Sequence, residues 1–113
     1  MNIALALEYI PRRMNELGYS SNYFIRFRHF VMQPNEKLEI DAYNQFFILV
    51  EEINDASVVS DFGLFDIAET KINEQTYEHQ GEIKITNYSN AINHVRFVQV
   101  IPKHISANKI KNE

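Results

Sequence analysis

The spacing of apolar residues changes character once along the chain. Over the opening stretch, Ile3, Leu7, Ile10, Met14 and Leu17 recur at steps of four and three, the period that lines one stripe of an α-helix. Pro11 falls inside that stripe, where a proline removes a backbone donor and crowds the preceding turn, so a kink or two short helices are expected. Gly18 is the expected C′ residue, because it alone takes a left-handed backbone at little cost. A helix this short is marginal in isolation, so its stripe must dock on the rest of the chain, on a neighbouring subunit or on both.

From Tyr23 onward the step becomes two. Tyr23 to Met32 reads as a long strand with Tyr23, Ile25, Phe27, His29 and Val31 on one side and Phe24, Arg26, Arg28, Phe30 and Met32 on the other. Gln33-Pro34-Asn35-Glu36 is a turn with Pro34 suited to its second position. Lys37 to Asp41 alternates, with Leu38 and Ile40 inward. Phe46 to Val50 is apolar on both sides, as a central or helix-covered strand requires, and is the expected heart of the core. Glu51 to Ala56 turns the chain and Ser57 to Ser60 forms a short strand. Asp61-Phe62-Gly63 suggests a bulge or tight bend, Leu64 to Ile67 an extended continuation and Ala68 to Gln75 a loop. Thr76 to His79 and Glu82 to Tyr88 are expected to form a hairpin turning at Gln80-Gly81, with Ile83 and Ile85 inward. His94 to Ile101 is the last strand, closed by Pro102.

Short strands in succession with no helices between them point to an all-β fold, an antiparallel β-sandwich of jelly-roll-like form with a short N-terminal helical segment. At 113 residues the chain holds one domain, organised as a helical arm (1–20), the sandwich (22–102) and a basic tail (103–113). In a sandwich this small the outer strands are edges, which must be shielded or used for pairing.

Composition narrows the function classes. The absence of cysteine excludes a disulfide framework, a thiolate metal site and a cysteine nucleophile. The opening residues lack both a basic flank and a long apolar run, so a soluble, unexported chain without a membrane span is expected. The net charge of −4 hides a partition. Between Glu36 and Glu82, 12 acids face two bases; outside that span nine bases face three acids. Placed on different faces, the two sets would suit head-to-tail contact between copies; interleaved, they would be an ordinary solvated surface.

Candidate chemistry is sparse. His29, His79, His94 and His104 lie on different elements, with no His-x-His or His-x-x-x-His spacing to set two imidazoles on one face. Glu78-His79-Gln80-Gly81 matches part of a cupin metal motif without its paired histidine, which leaves His79 as a hydrogen-bonding residue at a hairpin end. Glu51-Glu52 and Asp61 with Asp66 are paired acids, but glycoside hydrolysis also needs a deep groove. Asp55, Asp61 and Asp66 lack the regular spacing of a calcium loop. No phosphate-binding loop and no nucleophile elbow occurs. Arg26 and Arg28 among Tyr23, Phe24, Phe27 and Phe30 have the basic-aromatic interleaving of nucleic-acid binders, against which stands the acidic balance of the chain. Tyr9, Tyr19, Tyr43, Tyr77 and Tyr88, if exposed, would make a sugar-stacking platform. No catalytic residue, cofactor or metal site is therefore assigned.

The stretches Ser60-Asp61-Phe62-Gly63-Leu64-Phe65-Asp66, Tyr77-Glu78-His79-Gln80-Gly81-Glu82-Ile83-Lys84-Ile85-Thr86-Asn87-Tyr88-Ser89 and Val95-Arg96-Phe97-Val98-Gln99-Val100-Ile101-Pro102 resemble small bacteriophage virion proteins of the β-sandwich or jelly-roll kind. The resemblance covers about half the chain and rests on strand style. It implies a structural role at a capsid vertex, as a decoration or as a connector, in which N-terminal helices and basic arms hold neighbouring subunits. The expected partners are other copies and other virion proteins, and the expected location is the virion or, outside a phage, the cytoplasm. Contact residues on this reading are Leu7, Ile10 and Met14 as apolar anchors, Arg12, Arg13, Arg26 and Arg28 as donors to a partner's carboxylates, and Glu51, Glu52 and Asp55 as acceptors. A carbohydrate-binding module is the alternative, and a cupin-like enzyme the third reading.

Overall fold

The structure is a computed structural model that describes residues 2–51, 55–60 and 78–103. Helix α1 (Ile3–Glu16) is followed by strands β1 (Tyr23–Met32), β2 (Lys37–Val50), β3 (Ala56–Ser60), β4 (Glu78–Asn87) and β5 (Asn93–Pro102). Among the described residues all pairings are antiparallel, in a single sheet of order β1-β5-β2-β4-β3. The fold is thus mostly antiparallel β with one short N-terminal helix. The described residues form one sheet with α1 on one face, where two stacked sheets were expected.

The helix runs through Pro11 as one element of 14 residues. Leu7, whose carbonyl loses its donor to the proline, and Pro11 are both exposed, so water can take the place of the missing bond. Asn2 caps the start, its side-chain oxygen accepting from the Leu5 amide at 2.8 Å. At the other end Gly18 adopts φ +89°, with its amide on the Asn15 carbonyl and the Tyr19 amide on Met14. This double bond pattern is a Schellman cap, and Tyr19 completes it by packing against the cluster that holds Met14.

β2 joins two segments that the pattern separates. Lys37 to Ala42 pairs with β4, Phe46 to Val50 pairs with β5, and a register shift lies between Ala42 and Phe47, where Asn44 takes φ +64°. The irregularity reverses the alternation. Leu38, Ile40 and Ala42 therefore share a face with Phe47 and Leu49, while Phe46, Ile48 and Val50 point to the helix. Two cores follow. On the helix side Ala6, Tyr9, Ile10 and Met14 pack on Phe46, Ile48, Val50, Val98 and Val100. On the other face Phe47 and Phe97 meet edge to face and gather Met32, Ile83, Ile85 and Val95. Residues from both ends of the sheet thus share one cluster.

The expected hairpin at Gln80-Gly81 is not formed, because β4 runs unbroken from Glu78 to Asn87. Gly81 instead takes φ +77° opposite Ala42, at the edge of the β2 irregularity, so its conformational freedom absorbs a distortion within the sheet. The readings of Asp61 to Gln75 and of the tail beyond Lys103 fall outside the described residues.

At one end of the sheet Asn87, wholly buried, ties two connections together. Its amide nitrogen donates to the carbonyls of Met32, Gln33 and Ala91, and its oxygen accepts from the Ser89 amide and from Asn93. Pro34 and Asn35 (φ +62°) form the adjoining turn, closed by the Glu36 amide on the Gln33 carbonyl.

Candidate functional site

The helix is narrower than the sheet it covers, and it is seated over β5 and the second half of β2. One flank reaches β4. There Glu78 is wholly buried, and it accepts from the Tyr9 hydroxyl, from Arg13 Nε at 3.0 Å and Nη2 at 3.3 Å, and from Gln80 at 3.0 Å. A carboxylate removed from water needs donors on both oxygens, and these three residues supply them. Burial alone would lower the pKa of Arg13, but its hydrogen bond to Glu78 and the charge of that carboxylate outweigh burial and raise it above the ordinary value. The cluster fastens α1 to the sheet. His79, the next residue, points to the opposite face, where its Nδ1 lies 2.8 Å from the hydroxyl of Ser60. Both are buried, and the contact joins β4 to its neighbour β3.

The other flank of the helix leaves β1 uncovered. β1 ends the sheet, pairs only with β5 among the described residues, and is ten residues long. Its helix-side face carries Tyr23, which packs against the core, and then Ile25, Phe27, His29 and Val31, all exposed. Phe27 is 61 % exposed. Ile3 and Phe27 line the same hollow of about 250 Å³, with His29, Val50 and Arg96. Leu7, one helical turn beyond Ile3, is exposed on the same flank. An apolar strip therefore lies between the helix and an edge strand, beside a row of backbone groups that β-pairing can use.

Sequence reasoning missed the end of this strip. His29 and His94, 65 residues apart, lie on one face of neighbouring strands, two residues out of register, and their ring nitrogens approach to 2.9 Å. The sequence holds no signal for the pair, because cross-strand proximity depends on how β1 and β5 register. Arg96, opposite His29, directs its guanidinium to Glu51 at 2.9 Å.

The predicted contact residues separate in the fold. Leu7 and Arg26 are exposed, and Arg12 is exposed with its guanidinium over the Tyr9 ring. Ile10 and Met14 are buried in the helix-side core and are not available to a partner, because the helix docks on its own sheet. Arg13 donates to Glu78 and pairs with Glu16 of the same chain, and Arg28 donates to Gln99 and stacks on Phe30. Glu51 holds Arg96; Asp55 is exposed; Glu52 lies outside the described residues. The Arg13–Glu78 and Arg96–Glu51 pairs also show that folding joins the acidic middle to the basic flanks instead of segregating them.

Of the tyrosines proposed as a sugar platform, Tyr9 is buried and Tyr19 leans on the core. Tyr43 and Tyr88 are exposed, one beside Ala42 and Gly81 and the other just past Asn87, so they stand about 20 Å apart along β4. Tyr77 lies outside the described residues. Tyr43 borders a second hollow, of about 330 Å³, with Glu39, Asp41 and Glu82. Asp41 and Glu82 are direct cross-strand partners, an arrangement of like charges that costs the sheet stability. Among the described residues no three His, Asp or Glu side chains are grouped to hold a metal ion, and no helix is long and apolar enough to cross a membrane. Comparison with known protein families, with curated proteins and with solved structures finds no match to this chain.

Proposed function

We propose that the protein is a structural assembly subunit, of the kind found in bacteriophage virions, that works through contacts with further copies of itself and not through catalysis. The observation that carries this reading is β1, a ten-residue edge strand whose Ile25, Phe27 and Val31 are exposed beside Ile3 and Leu7 of the helix. Edge strands of that length and apolarity pair readily, and natural monomers usually blunt them. A second copy is the occupant favoured by charge: Arg26 stands exposed on β1, and the cross-strand acidic pair Asp41 and Glu82 stands exposed on the far half of the sheet. On the same reading the sheet is part of a jelly-roll-like sandwich, a form supported by the single cluster that draws residues from both ends of it.

Light scattering coupled to size-exclusion chromatography, run over a concentration series, tests the proposal. The native chain is expected to exceed one chain's mass as concentration rises. Phe27→Lys is expected to return it to a monomer while changing folding stability by no more than about 0.5 kcal/mol, as for other exposed positions. A native chain that stays monomeric throughout, or a Phe27→Lys variant that associates as the native chain does, would sink it.

The hollow at Tyr43 supports a second reading, a carbohydrate-binding module, in which the ring stacks on a sugar and Glu39, Asp41 and Glu82 accept from its hydroxyls. Glycan binding lost in Tyr43→Ala would favour it; no binding on a broad glycan array would remove it.

A further inference from the structure

We infer that His29 and His94 form a chelating site for a divalent transition-metal ion, with Cu2+ or Ni2+ the ion that fits. The argument begins with distance. Imidazole nitrogens bind such ions at about 2.0–2.1 Å, so two nitrogens held 2.9 Å apart subtend about 90° at the ion. That is the angle between adjacent ligands in a square-planar or octahedral centre, the geometries of Cu2+ and Ni2+.

The chemistry of the pair agrees with the distance. His29 Nε2 and His94 Nδ1 face each other, so one ring donates its N–H to the lone pair of the other. For an ion to enter, the donor ring moves that proton to its far nitrogen, a tautomer change without net proton release, and both lone pairs then point to the metal. The ring centroids are 5.1 Å apart and the planes 34° apart, and each exposed ring turns by roughly 45° to swing its lone pair from the other nitrogen to the ion. Arg96, opposite His29, is paired with Glu51, which offsets its repulsion of an incoming ion. Two protein nitrogens leave the remaining positions of the ion to water. Because the strands hold the two imidazoles together before binding, the chelate loses little entropy on forming.

The test is titration of the full chain with CuCl2, followed by calorimetry and electron paramagnetic resonance. One Cu2+ per chain with nitrogen ligands in its equatorial plane is expected, and His29→Ala or His94→Ala should each weaken it by about tenfold or more, with circular dichroism of each variant as the folding control. In parallel, Ni2+ added to the native chain should broaden the resonances of residues around His29 and His94 first, a readout independent of any substitution. Equal affinity in the His29→Ala/His94→Ala double variant, or broadening centred elsewhere, overturns the inference.

Discussion

Single residues in this chain act where polar groups are buried. Glu78 is the sharpest case, because two of the three partners of its carboxylate, Tyr9 and Arg13, lie on the helix. Arg13→Met should leave a buried carboxylate without its cation and cost about 3–5 kcal/mol. Glu78→Gln should cost less, since the amide oxygen still accepts from Tyr9 and Arg13 retains Glu16. Urea denaturation of both variants checks the order, and the reverse order would show that the cluster is not held together by charge. Sequence gives no access to this pairing. Glu78 reads as one more acid in an acidic span and Arg13 as one more base in a basic flank, and only the docking of α1 over β4 brings them within bonding distance. The same holds for His29 and His94.

At the scale of elements, local signals did most of the work. Gly18 ends the helix as the periodicity predicts, and its φ of +89° is one that a side chain resists. A Cβ built there meets nothing within 4 Å, so Gly18→Ala should destabilise by conformational strain alone, about 1–2 kcal/mol by thermal or urea unfolding. A loss of much more than that would mean the residue has a packing role. β1, β3 and β5 lie where alternation places them, within a residue at their ends. The hairpin at Gln80-Gly81 failed because a glycine in a β pattern marks either a turn or a distorted strand, and the choice depends on which partner lies opposite. Here that partner is the irregular middle of β2, itself read as two strands because Tyr43-Asn44-Gln45 is polar.

Across the whole molecule, β2 and β5 both contribute to both cores, Val98 and Val100 of β5 on the helix side and Val95 and Phe97 on the other. Phe46, Ile48 and Val50 serve the helix side while Phe47 serves the other. The two sides should therefore unfold together, and Phe47→Ala, which removes a ring packed edge to face on Phe97, should cost about 3–5 kcal/mol. Circular dichroism and tyrosine fluorescence should give coincident transitions in both chains; a helix that melts separately would contradict this. What the sequence determined by itself was local: an amphipathic helical stretch, then antiparallel strands, and which residues of each strand are apolar, since these depend on periods of 3.6 and two. What only the tertiary structure decided was which apolar residues remain exposed and which distant side chains meet. The face of β1 bearing Ile25, Phe27 and Val31 looks like core in the sequence. It is exposed because the helix that covers its neighbours is too narrow to reach the edge of the sheet.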